Sequence, residues 1–261
     1  MLRALYSAAS GMQSQQLNLD VISNNLANVN TAGFKMSKMQ FQDMLYQTTK
    51  EAGSAAGAGN TLPSSLQIGQ GATPVATERI FTQGTMSQTG NNTDIAINGN
   101  GFFEVQLPDG SLGFTRDGSF KADSTGRIVT AEGYPLVGAT PVPPGVTNIT
   151  ITASGSVSYQ TQNSTTPTTW QLQIANFNNP GGLDATGGNI FKETSASGTP
   201  TLGNPGEGGL GTLQQGYLEL SNVSVVSEMV NLILAQRAYE VNSKAVQAAD
   251  EMMQQSNNLQ R

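Results

Sequence analysis

At 261 residues, 37 % apolar and 11 % charged, the chain is long enough for one to three modest domains and apolar enough to fold, but unusually poor in charge. A net charge of −6, with 12 scattered Lys and Arg, excludes a nucleic-acid partner, which would need clustered cations. The absence of Cys and His removes thiolate nucleophiles, disulfides, histidine metal sites and imidazole proton transfer. No catalytic, cofactor-binding or metal-ligating residue is therefore assigned, and no small-molecule substrate is expected. So little charge also means that copies of the chain repel one another weakly.

The opening MLRALYSAASGMQSQQLNLD is interrupted by Ser and Gln, so it lacks the apolar core of a secretory signal. Residues 2–27 are predicted to be helical: Leu5, Met12, Leu19 and Leu26 recur every seven residues, the spacing of a coiled-coil seam. Gly11 costs about 1 kcal/mol against alanine there, which predicts a close contact at that point. Gln13, Gln15, Asn18 and Asp20 fall on the other face. The helix should fail at 28–33, where Asn and Gly tolerate left-handed backbone, with Gly33 as the stop and Phe34 packing just beyond it. Residues 35–47 are amphipathic. Residues 48–72 are small, polar and glycine-rich, and composition assigns them no regular structure.

The middle of the chain reads as many short strands separated by turns. Asn98-Gly99-Asn100-Gly101, Pro108-Asp109-Gly110, Asp117-Gly118, Thr125-Gly126 and Glu132-Gly133 are the turn signals, and this spacing predicts an antiparallel β domain. Trp170-Gln171-Leu172-Gln173-Ile174 alternates as a half-buried strand. The Asp117–Asp123 stretch invites a calcium reading, but Phe120 and Lys121 stand where oxygen ligands are needed. Residues 178–216 read as loops. A last helix should firm up at Ser221 or Asn222, with a stripe of Val226, Val230, Leu234, Ala238, Val241, Ala245, Ala248 and Met252, extended by Leu259. Glu228 early and Arg261 late suit the helix dipole.

Two apolar helical stripes, each marginal alone, are most economically satisfied by each other. The expected fold class is α+β. N- and C-terminal helices pack as a coiled-coil-like inner domain, with an inserted antiparallel β-rich outer domain. The expected divisions are 1–47 and 213–261 for the helical parts, 48–75 for a flexible segment ordered on assembly, and 76–212 for the β domain. Helical ends, a β middle and no convergent titratable groups describe a polymer subunit better than an enzyme.

SNNLANVNTAGFK at 23–35 and GYLELSNVSVVSEMVNLILAQRAYEVNSKAVQAADEMM at 216–253 resemble the two terminal signatures of the flagellar basal-body rod and hook family. TDIAINGNGFFEV at 93–105 and FTRDGSFKADSTGRIVTAEGYPL at 114–136 resemble its β domain. FQDMLYQTTKEAG at 41–53, with the stretch 62–90, is similar to the distal-rod members. The resemblance implies a torque-transmitting drive shaft built as a helical homo-oligomer. Its partners would be proximal rod proteins, the hook protein and the surrounding envelope rings, reached through the flagellar type III export apparatus. The shaft would span the periplasm toward the outer membrane. By the same resemblance, Asn24, Asn25, Asn28, Asn30, Gly33 and Phe34 form the turn signature. Inner-domain packing falls to Leu5, Met12, Leu19, Leu26, Val230, Leu234, Val241, Ala245, Ala248 and Met252. Tyr46, Leu62, Pro63, Leu66 and Ile68 lie in the rod-specific segment that stiffens the shaft. Related chains often carry Asn or Asp at the position of Ser224 and an acidic residue at that of Ser227. The alternatives are a proximal rod subunit of the same family, or a secreted β-rich adhesin or binding module, against which the terminal helices argue.

Overall fold

The computed structural model describes residues 2–53, 62–143, 146–161 and 167–258. The protein is α+β, with a helix near each end of the sequence and antiparallel strand pairing between. It divides into two compact units, residues 1–26, 37–78 and 224–261 in one and residues 27–36 and 79–223 in the other.

The first unit holds α1 (Leu2–Ala27), α2 (Val225–Asn258) and a two-stranded ribbon. Ser224 caps α2, its Oγ accepting from Ser227 N at 3.5 Å, so the helix begins at Val225, beyond Ser221 and Asn222. The inner face of α1 carries Ala8, Gly11, Gln15, Asn18, Ile22 and Asn25 at 3,4 spacing, all small or polar but Ile22 and all buried or half-buried. Leu5, Met12, Leu19 and Leu26 flank that seam, half-buried, while Gln15 and Asn18 lie within it and not on the wet face. As the chain advances along α1 from Gly11 to Asn25, its contacts retreat along α2 from Asn242 to Glu228, so the helices run antiparallel. A Cβ at Gly11 would lie 2.8 Å from the Asn242 amide, which is the close contact its presence in the helix predicts.

The ribbon consists of β1 (Ser37–Asp43), β2 (Tyr46–Lys50), β3 (Leu66–Gly69) and β4 (Ala72–Arg79), with β1 paired to β4 and β2 to β3. Met44 N donates to Gly71 O at 2.9 Å and Gly53 N to Leu62 O at 2.9 Å, joining the two pairs and closing the far end. The segment 35–47 is thus extended rather than helical, and 48–72 is paired strand over much of its described length. The reason is period: Leu66, Ile68 and the alternate residues of 46–50 repeat every second position, a signal that small-residue composition hides. The ribbon rests on a strip of serines on α1. Gly71, at φ +116, passes so close to Ser7 and Ser10 that no side chain would fit, and Ser14 Oγ donates to Ala72 O at 3.4 Å. Residues 54–61, part of the segment read as a linker, lie outside the described residues.

The second unit packs short strands around two cores. β5 (Met86–Gln88) pairs with Tyr217–Glu219, and β6 (Ile95–Asn98) pairs with Thr212–Gln215. β7 (Phe103–Gln106) and β8 (Leu112–Thr115) form a hairpin, extended by Ile190–Lys192 and Asp184–Gly187 into a four-stranded antiparallel sheet. A three-stranded sheet, Val146–Ile151, Ser156–Thr161 and Thr168–Gln171, completes the unit's larger sheets. Residues 178–216 are therefore not merely loops. Ile190 and Phe191 form a central strand too short to show alternation in a Gly- and Asn-rich context.

Phe102 and Phe103 are consecutive, so strand pleating sends them to opposite faces and into different cores. Phe103 meets Phe120 edge-on at 5.1 Å within a core of Ile95, Ile97, Val105, Leu172 and Ile174. Phe102 joins Phe114, Phe177 and Phe191, with Phe114 and Phe177 edge-to-face at 4.8 Å. Trp170 is half-buried against the first core.

Candidate functional site: a buried ionic junction and an uncovered helix face

Three sequence signatures converge in the second unit on one carboxylate. Gly33, at φ +70, turns the chain so tightly that a Cβ would lie 2.6 Å from Asp117 N, and its own N–H donates to Glu219 O at 2.8 Å. Phe34 is buried beside this turn. Lys35 follows, wholly buried, with Nζ 2.6 Å from Glu219 Oε1 and 2.7 Å from Thr82 O. Arg116, just past β8, brings Nε to 3.0 Å from Glu219 Oε2, while Nη1 and Nη2 donate to Gly101 O and Gly99 O at 2.5 and 2.6 Å. The Nε approach is an ion pair without hydrogen-bond alignment, so Oε2 has charge compensation but no hydrogen bond. Gly84 N also donates to Oε1, at 2.8 Å.

Burial pulls the Lys35 ammonium below its ordinary value, and the Glu219 carboxylate works against that; burial lowers the Arg116 guanidinium in the same way. Two cations share one carboxylate, and the backbone carbonyls of Thr82, Gly99 and Gly101 also accept from them. Such an arrangement fixes a junction. Lys35, Arg116 and Glu219 were not singled out from the sequence. The available signal was rarity, since few charges exist, and for Lys35 and Glu219 their apolar neighbours Phe34, Met36, Leu218 and Leu220.

The turn-signature residues divide between the units. In the first, Asn25 is buried at the end of α1, where its Nδ2 donates to Ser37 O at 2.8 Å and to Glu228 Oε2 at 3.2 Å, and its Oδ1 accepts from Ser37 N at 2.9 Å. One amide thus ties α1, β1 and the first turn of α2 together, and Glu228 is placed where the helix dipole favours an anion. Asn24 is exposed. In the second unit, Asn28 Oδ1 accepts from Thr31 Oγ1 at 3.2 Å, and Asn30 is exposed.

The remaining predicted residues lie on surfaces of the first unit. The inner face of α2 is Glu228, Leu232, Ala235, Asn242, Val246, Ala249 and Met253. The stripe assigned to packing lies on the opposite face: Val230, Leu234, Val241 and Met252 are 51, 62, 65 and 50 % exposed, and Ala245 and Ala248 are exposed too. Periodicity selected one apolar stripe, whereas the buried face mixes the small and polar Glu228, Ala235, Asn242 and Ala249 with the apolar Leu232, Val246 and Met253. Leu259 and Arg261 lie outside the described residues. On the ribbon, Tyr46, Pro63, Leu66 and Ile68 are exposed and Leu62 is half-buried. No described helix is long and apolar enough to cross a membrane.

Residues 5–35 match the family described as flagella basal body rod protein. Residues 96–159 match the flagellar hook protein FlgE/F/G D1 domain, and residues 214–259 the flagellar basal body rod FlgEFG protein C-terminal region. The chain is 48 % identical over 260 residues to the flagellar basal-body rod protein FlgG of Buchnera aphidicola subsp. Acyrthosiphon pisum, covering 99 % of this chain and 100 % of that one. It is 49 % identical over 264 residues to the protein of that name from Borreliella burgdorferi, covering 100 % of both. To that of Caulobacter vibrioides it is 48 % identical over 260 residues, covering 99 % of each.

Proposed function

The chain belongs to the flagellar basal-body rod family, and from that premise we propose that it is a structural subunit of the distal rod, polymerising helically into a drive shaft that carries torque to the hook. The observation that carries this reading is the outer face of α2. Val226, Val230, Ile233, Leu234 and Val241, between 51 and 74 % exposed, form one apolar stripe along the helix. A single soluble chain gains nothing from such a stripe, whereas neighbouring copies can cover it at ~1.5–3 kcal/mol per side chain fully buried. A heterologous contact through it whose rotation does not close would build a helical filament.

In this reading α1 and α2 pack as a coiled-coil-like inner domain, held in register by Asn25–Glu228 as a buried polar pair holds a coiled coil. The buried triad keeps the turn signature of the β-rich unit from yielding under load. The ribbon is clamped between copies through Tyr46, Leu66 and Ile68, stiffening the shaft. Proximal rod proteins below, the hook protein above and the envelope rings around it are the partners, and delivery is by the flagellar export apparatus. The chain has no catalytic activity of its own. Basal bodies purified from cells lacking the chain should show rods that stop short and bear no hook, with full length restored by the intact gene. Full-length rods in its absence would overturn the assignment.

A further inference from the structure

The turn between β6 and β7 holds two Asn-Gly dipeptides in tandem, Asn98-Gly99 and Asn100-Gly101, and the fold treats them differently. In this dipeptide the glycine nitrogen can close on the preceding side-chain carboxamide, because no Cβ obstructs it. At Asn98 both reacting groups are occupied by one side chain. Gln83 Nε2 donates to Asn98 Oδ1 at 3.2 Å, and Gln83 Oε1 accepts from Gly99 N at 3.0 Å. Asn98 is also the last residue of β6, paired with Thr212, and extended backbone turns the following nitrogen away from the side chain.

Asn100 has neither restraint. It lies beyond the strand and is exposed, and among the described residues neither its side chain nor the Gly101 N–H makes a hydrogen bond. Gly101 is buried from bulk solvent, but both residues line a cavity of about 280 Å³ with Phe81, Phe177 and Pro180. That is ample for water, which the reaction needs both to take up the amide proton and to open the product ring.

We infer that Asn100 is a site of spontaneous deamidation in the folded chain, and that Gln83 shields Asn98 from the same reaction. Gly101 N loses its proton to water or hydroxide and bonds to Asn100 Cγ; the Cγ–Nδ2 bond breaks and ammonia leaves, giving a five-membered imide. Water then adds to either imide carbonyl, yielding aspartate or isoaspartate, so the net change is amide plus water to carboxylic acid plus ammonia. The product alters the junction described above. Arg116 holds the carbonyls of Gly99 and Gly101 on either side of Asn100, and Asn100 O accepts from Gly211 N at 2.7 Å. Isoaspartate lengthens the main chain between those carbonyls, so the two guanidinium contacts can no longer both be kept, and the junction ages with the protein.

The test is peptide mapping by mass spectrometry of the intact chain held in warm, mildly alkaline buffer, with and without denaturant. Conversion at Asn100 should outpace that at Asn98 by roughly tenfold or more in the folded chain, as two hydrogen bonds of ordinary strength allow, and the two should be similar in denaturant. Gln83→Ala should bring the Asn98 rate up toward that of Asn100. Equal rates in the folded chain, or an Asn98 rate indifferent to Gln83→Ala in a folded variant, would overturn the inference; the folded-to-denatured comparison needs no variant.

Discussion

Replacing Glu219 with alanine should destabilise the β-rich unit by about 3–5 kcal/mol, the cost of leaving buried charge uncompensated. The carboxylate and both of its cationic partners are essentially sealed from solvent, at 0 to 4 % exposure. Removing it leaves two cations within one buried cluster and takes an acceptor from Gly84 N. Lys35→Met should cost less, because one cation and one carboxylate then remain and Arg116 keeps its two carbonyl acceptors. The ordering is the informative part: a triad acting only through packing would make the two substitutions similar. Thermal unfolding should place Glu219→Ala lower than the parent by roughly 6–20 °C, with Lys35→Met between them. A Glu219→Ala midpoint within a degree or two of the parent would show that the charges are solvated and that the junction is held by its apolar neighbours.

The second large effect concerns assembly and not folding. Asparagine at both Leu234 and Val241 should leave the isolated chain's stability within about 0.5 kcal/mol of the parent, since both side chains are mostly exposed in it. Polymerisation should be lost. Two side chains at ~1.5–3 kcal/mol each correspond to roughly two to four orders of magnitude in subunit affinity. Ala235→Leu is the opposite case. Ala235 is 3 % exposed on the inner face of α2, so enlarging it should cost the isolated chain about 1–3 kcal/mol by overpacking. Sedimentation and circular dichroism on the same samples separate the two outcomes. Normal polymer from the Leu234, Val241 variant would remove the outer face from the interface.

The two long helices were legible because a seven-residue apolar repeat has few other readings. Their pairing geometry was less so. Periodicity reports that a helix has an apolar face, but α2 has two usable faces, and the sequence carries no mark of which one a partner within the chain will take. Ala235 and Ala249 are buried on one face beside half-buried Leu232, Val246 and Met253, while Val230, Leu234 and Val241 stand exposed on another. The ionic junction was hidden for another reason. Lys35 and Glu219 are 184 residues apart, and nothing local to either announces a partner. Asn25 was marked by its motif, yet its work, one amide serving two backbone groups and a carboxylate, is a matter of side-chain geometry. Ile190–Lys192 was missed because three residues cannot display a period.

The reading of the chain as a shaft subunit rests on the outer face of α2 being covered by another copy of the chain. The chain has no cysteine, so Leu234→Cys introduces a single thiol whose alkylation rate reads its surroundings without interference. That thiol should react freely in dissociated subunits and at least an order of magnitude more slowly in purified rods. A rate unchanged by assembly would mean that the stripe faces solvent in the polymer, and the account of how this subunit builds a shaft would be contradicted.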